Sequence, residues 1–194
     1  MLREKLSNYN IILASGSPRR QHFLDKLDIS FTIDVREVEE IYPRHLKGAQ
    51  ITDYLADLKS KCFNQLKSND LLITSDTIVW FEEKAIGKPT NKKDAFDMLK
   101  KMSGNIHEVY TSVSIRGKSF QKIFNDKTSV EFEIFTNEEI NYYLEKFSPY
   151  DKAGSYGIQD WIGLIGVKKI TGSYFNVMGL PVHKLYKELL NIAQ

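Results

Sequence analysis

The segment Ser15-Gly16-Ser17-Pro18-Arg19-Arg20 brings a glycine turn, hydroxyls and guanidinium groups close together. A glycine turn feeding a helix N-terminus exposes free backbone N–H groups at the positive end of the helix dipole, and arginine forks extend that cradle for an oxyanion. Ser17 can cap such a helix and Pro18 suits its first position, so Arg19 and Arg20 fall in the first turn, where the dipole disfavours cations. A phosphate cradle and a well-capped surface helix with solvated arginines both fit this pattern, and the P-loop signature is absent. Asp76 lies in Asp70 to Phe81, the most apolar strand region of the chain. A carboxylate there is costly to hold ionised unless it is paired with a cation, hydrogen-bonded or bound to a metal, which points to a site; an Asx turn in Ser75-Asp76-Thr77 is the alternative.

Lys59 falls beside the apolar face of a helix, and Lys88 sits in Gly87-Lys88-Pro89, a turn that fixes the direction of its stem. Glu37, Glu39 and Glu40 form an acidic cluster that reads either as a solvated loop or as metal ligands. In Asp151 to Gln159 the glycines permit close backbone approach, and Gln159 offers a donor and an acceptor to a flat polar partner such as a base. His22, His45, His107 and His183 have no ligand-like spacing and lie in no nucleophile motif. The aromatic residues fall at helical or alternating positions and read as core, so stacking platforms for single strands are not indicated.

The elements that must position these groups can be read from periodicity. Asn10 to Ala14 reads as a strand, followed by a helix with Phe23, Leu24 and Leu27 on one face. Phe31 to Val35 reads as a second strand, and Ile51, Leu55, Leu58, Cys62 and Leu66 recur at helical steps. Asp70 to Phe81 reads as a strand interrupted at Ser75-Asp76-Thr77, returning as a hairpin through Glu82-Glu83-Lys84. Asn91 caps a helix stopped by Gly104, Ile106 to Phe135 is a ribbon of two strands, and Thr136 to Glu139 is a capping box. An ordered loop over 148–163, a strand from Leu164 to Ile170 and a terminal helix after Pro181 complete the chain. Helices interleaved with strands and hairpins predict an α/β fold with a mixed sheet.

At 194 residues, with 42% hydrophobic and 27% charged residues, the chain is long enough for one core and too apolar for disorder. No linker or repeat divides it, so a single domain over 1–194 is expected. One cysteine, Cys62, excludes an intramolecular disulfide and any multi-cysteine metal site, and leaves oxygen or histidine as metal donors. Lysine and arginine exceed aspartate and glutamate by 27 to 25, a formal charge of +2, too small to argue for nucleic acid as partner. The mixed-charge N-terminus and the lack of a long apolar run predict neither a secretory signal nor a membrane span, which favours a cytoplasmic location.

Taken in order, these pieces resemble the Maf family of nucleotide pyrophosphatases over nearly the whole chain. The matching stretches are Leu13 to Arg20, Glu39-Glu40, Leu55-Ala56 with Lys59, Asp76 to Val79, Gly87-Lys88-Pro89, Asp151 to Gln159 and Gly172 to Pro181. The resemblance implies a Maf/ITPase-like fold, with a central twisted mixed sheet flanked by helices and a cleft. It also implies hydrolysis of a nucleoside triphosphate between its α and β phosphates with a divalent cation, Mg²⁺ or Mn²⁺, as cofactor. Carried over residue by residue, Asp76 matches the catalytic carboxylate, as general base or metal ligand, with Glu40 the second metal carboxylate. Arg19, Thr77 and Gln159 match the specificity positions of the subgroup acting on dTTP and UTP, and Ser15, Arg20, Lys59 and Lys88 match the residues that hold substrate and its phosphates. Ser75 and Ser155 stand where many members have alanine. A nucleoside triphosphate is then the expected partner, with a homodimer left open. The rival is a non-catalytic nucleotide sensor or regulator of cell division.

Overall fold

The computed structural model describes residues 1–193. In chain order its elements are α1 (Leu2–Lys5), β1 (Asn10–Leu13), α2 (Pro18–Lys26), β2 (Thr32–Ile33), α3 (Ala49–Lys61), β3 (Asp70–Phe81) and β4 (Lys84–Ile86). There follow α4 (Lys92–Met102), β5 (Ile106–Arg116), β6 (Gln121–Phe132), α5 (Asn137–Phe147), a 3₁₀ turn (Ala153–Ser155), α6 (Trp161–Gly166), β7 (Val167–Thr171), α7 (Tyr174–Val177) and α8 (Val182–Ile192). The strands form a seven-stranded sheet in the order β2-β1-β3-β5-β6-β7, with β4 added to β3. It is mixed: β1 runs parallel to β2 and β3, whereas β4 is antiparallel to β3 and β7 antiparallel to β6. The fold is therefore the expected α/β class, a mixed sheet flanked by helices.

The chain forms two compact units. The first comprises Met1–Asp76, Thr111–Asp126 and the segment from Gly179 onward; the second comprises Thr77–Tyr110 and Lys127–Met178. In the first unit the register Asn10↔Asp70 to Leu13↔Ile73 seats β1 on the start of β3. Leu71, Leu72 and Ile73 are wholly buried, the continuous apolar run of a parallel strand covered on both faces, and each stabilises the fold by about 1.5–3 kcal/mol. Helix α1 packs on α8, whose Leu185 and Leu189 are fully buried. In the second unit Leu99 and Met102 of α4, Ile140 and Tyr143 of α5, and Val130 and Phe132 of β6 share one core.

The caps follow the sequence: the Asn91 side chain accepts from Asp94 N–H at 2.9 Å, and Thr136 and Glu139 close a capping box. Four expectations are corrected. Strand β3 runs unbroken through Ser75-Asp76-Thr77, because Lys59 supplies the Asp76 carboxylate with a partner and leaves the ladder intact. Strand β2 keeps only Thr32 and Ile33, and α3 stops at Lys61, short of Leu66. The apolar run from Leu164 is not all strand: residues up to Gly166 belong to α6, and β7 begins at Val167. A short apolar run carries no period that separates helix from strand.

Candidate functional site

The first unit places Asp76 in the interior of β3, where it is 6% exposed. Lys59, in the last turn of α3, donates from Nζ to Asp76 Oδ1 at 2.6 Å and also lies 2.8 Å from Glu40 Oε1. A cation in the last turn of a helix meets the negative end of its dipole, so the end of α3 is a fitting place for the Lys59 side chain. One ammonium thus joins two carboxylates from different parts of the chain. Burial pushes the Asp76 carboxyl above its ordinary pKa of 3.8; Lys59 pulls it back, Glu40 adds to the rise and Arg20 opposes it. A carboxyl so placed is a stronger proton acceptor than one in water.

Arg20 lies in the first turn of α2 and spends its donors on the surrounding chain. Its Nε donates to the Gly179 carbonyl at 2.8 Å, and Nη1 donates to the Ser75 carbonyl at 2.9 Å and to Ser15 Oγ at 3.3 Å. Burial draws its pKa from 12.5 to about 10, with Asp76 and Glu40 raising it and Arg19 lowering it, so the guanidinium remains charged at neutral pH. Those acceptors answer why arginine tolerates the wrong end of the dipole. Ser17 occupies the N-cap position of α2, but its side chain makes no cap bond; its N–H donates to Ser15 Oγ at 3.3 Å. Ser15 is buried and Arg19 half-buried.

The second unit carries Thr77, Lys88 and Gln159. Thr77 is next to Asp76 in β3, and alternation along a strand turns neighbouring side chains to opposite faces. Lys88 is exposed, and its turn is tied to the Gln159 loop where Gly154 N–H donates to the Gly87 carbonyl at 3.0 Å. That loop is anchored by Tyr143, whose hydroxyl donates to Asp160 Oδ2 at 2.9 Å and accepts from Gly157 N–H at 3.0 Å. A Cβ on Gly157 would meet Asp160 Oδ2 at 2.4 Å and Gln159 Nε2 at 2.9 Å, so only glycine lets both side chains lie over this backbone.

Ser15, Arg20, Glu40, Lys59 and Asp76 are therefore linked within one unit, with Arg19 next to Arg20; Lys88 and the Gln159 loop are linked within the other. Sequence reasoning missed three contributors. Gly179 precedes the expected terminal helix and lies in the stretch from Gly172 to Pro181, with nothing to mark its carbonyl as an acceptor; Tyr143 falls on the apolar face of its helix with Ile140, Leu144 and Phe147; and Arg36 gives no signal at all. The oxygens of Asp76 and Glu40 that converge on one ammonium are hard donors of the kind that suits Mg²⁺ or Mn²⁺. Among the described residues no group of three or more histidine, cysteine, aspartate or glutamate side chains could hold a metal, so protein donors would number two at this place.

A mixed-sheet α/β protein with a charged cluster built on a strand and a helix end is the class that fold and site define. Residues 10–192 match the family model described as Maf-like protein, and the chain belongs to that family. It is 56% identical over 190 residues to a protein of Christiangramia forsetii named dTTP/UTP pyrophosphatase, covering 97% of each chain. A protein of the same name from Flavobacterium johnsoniae is 53% identical over the full length of both, and one from Bacteroides thetaiotaomicron 45% identical over 95% of this chain and 96% of its own. The solved Ham1 protein of Coxiella burnetii matches 94% of this chain and 99% of its own at 12% identity and a TM-score of 0.47, too slight a likeness to build on. Among the described residues no helix is long and apolar enough to cross a membrane.

Proposed function

We propose that this protein hydrolyses nucleoside triphosphates, dTTP and UTP among them, to the monophosphate and pyrophosphate. The observation that carries the reading is the buried Asp76 carboxylate held by Lys59 beside Glu40, in a chain whose full-length relatives bear the name dTTP/UTP pyrophosphatase. A triphosphate brings close to four negative charges, and phosphoryl chemistry asks a protein mainly for positioning and for positive charge near the oxygens. Arg19, Lys59 and Lys88 supply that charge, with Ser15 and Arg20 shaping the turn before α2. Asp76, its affinity for protons raised by burial, takes the proton of the attacking water.

In its alternative role as a metal ligand, Asp76 together with Glu40 would hold a divalent cation, Mg²⁺ or Mn²⁺, which when bound supplies Lewis-acid stabilisation of phosphate oxygens. Two carboxylates suit such an ion, since Mg²⁺ is commonly held by one or two carboxylates together with substrate phosphates. Arg19, Thr77 and Gln159 read the pyrimidine. A cytoplasmic setting, where nucleotides are abundant and a lone thiol stays reduced, fits this chemistry.

The test is pyrophosphate release from a panel of nucleoside triphosphates with Mg²⁺ or Mn²⁺, repeated with a chelator. Release from dTTP and UTP that stops with chelator is expected; binding of nucleotide with no release under any condition would favour a sensor instead. Asp76→Asn should lower kcat by roughly 10²-fold or more, with an unchanged circular dichroism spectrum. Full turnover by that variant would remove Asp76 from the chemistry.

A further inference from the structure

Glu40 reaches Lys59 from residues 34–48, a stretch that joins β2 to α3 with neither strand nor helix. Its path decides whether Glu40 meets Lys59, and the Arg36 side chain fastens its beginning to the end of α3. Arg36 donates from Nη1 to the Cys62 carbonyl at 2.6 Å, and Cys62 is the C-cap residue of α3. The same guanidinium lies over the Phe63 ring, 3.9 Å from its centroid, and Nη2 donates to Asp34 Oδ2 at 3.2 Å. Phe63 is only 3% exposed, so the ring is a fixed platform rather than a mobile surface group. The last carbonyls of a helix have no partner within it and carry its negative pole, which makes a cation the natural ligand for Cys62 O. Arginine can donate in plane and stack on its face at once; lysine cannot do both.

We propose that Arg36 is a positioning residue for the Asp76 site: by clamping the loop onto the end of α3 at Cys62, three residues past Lys59, it holds Glu40 on Lys59. The placement is a matter of geometry alone, and only its consequence for turnover rests on the pyrophosphatase reading.

Arg36→Ala and Arg36→Lys, each alone and combined with Glu40→Gln, test it by hydrogen exchange and by steady-state kinetics. In Arg36→Ala, amides of residues 36–48 should exchange on the order of tenfold faster, while those of residues 70–76 in β3 keep their rates. Its kcat should fall roughly tenfold with a smaller change in KM, yet by less than twofold when Glu40→Gln is already present, the signature of an effect that passes through Glu40. Arg36→Lys, which keeps the charge and loses the stacked fork, should recover only part of both losses and remains informative if Arg36→Ala fails to fold. Unchanged exchange in residues 36–48 of both variants, or equal kcat losses with and without Glu40→Gln, would overturn the proposal. If the wild-type protein releases no pyrophosphate, the functional reading fails by itself, and the exchange rates still decide whether Arg36 is the clamp.

Discussion

At Asp76 a strand-interior carboxylate is kept in place by one lysine, and that dependence has a sign. Asp76 sits above its ordinary pKa because burial penalises the ionised form, and Lys59 works against that penalty. A carboxyl whose folded pKa exceeds the unfolded value costs stability once ionised. The cost is absent below about pH 3.8, grows as pH rises to the folded value and is constant beyond it. Lys59→Met should therefore move the acid limb of kcat/KM to higher pH and lower stability relative to the wild type as pH rises through the acidic range. Urea unfolding and rate profiles over a pH series check both; an acid limb that moves down or stays would show that Lys59 does not set the affinity of Asp76 for its proton. Ser75 makes the opposite case. Its Oγ is buried with no hydrogen-bond partner, while its carbonyl accepts from Arg20. Removing an unsatisfied hydroxyl and keeping the backbone should raise stability, so Ser75→Ala is expected to gain about 1 kcal/mol in urea unfolding with turnover within twofold of wild type.

The glycine early in α6 fixes how the Gln159 loop can lie. A Cβ on Gly163 would sit 2.0 Å from the Ile158 carbonyl oxygen, and backbone cannot yield as a flexible side chain does. Gly163→Ala should thus cost about 2–4 kcal/mol and displace the neighbouring Gln159, raising KM for UTP; a variant as stable as wild type would mean that the loop repacks freely. Element by element, what could be read in advance was whatever depends on local chemistry. The caps at Asn91 and Thr136 are fixed by side chains bonding a few residues away, and the apolar face of α3 by a period of three to four. What could not be read depends on distant partners. The break expected at Ser75-Asp76-Thr77 follows from three polar residues set in an apolar run, and only the folded chain brings Lys59 to the carboxylate. The same holds at the site: the polar residues were legible through their motifs, whereas Arg36, Tyr143 and the Gly179 carbonyl act through contacts that no local pattern announces.

At the scale of the whole molecule, neither compact unit is a continuous stretch of chain. Three of the four boundaries, at 76/77, 110/111 and 126/127, fall inside β3, β5 and β6, and the fourth, at 178/179, falls in the short turn between α7 and α8. The first unit also needs its distant third segment, because α8 buries Leu185 and Leu189 and Gly179 accepts from Arg20. Deleting the chain from Gly179 onward should abolish pyrophosphate release and the cooperative urea transition of the first unit, each lost leucine alone being worth about 1.5–3 kcal/mol of burial. A deletion variant that still melted cooperatively would show that the remaining segments suffice.

The bond from Arg20 to Gly179 also has a consequence in time. A ribosome delivers Glu40, Lys59 and Asp76 long before it delivers the carbonyl that Arg20 Nε takes up, so a half-synthesised polypeptide offers its arginine Ser15 and Ser75 but not Gly179. A complete anchor for that side chain is therefore expected only after translation has passed Gly179, and products stalled short of it should fail to release pyrophosphate.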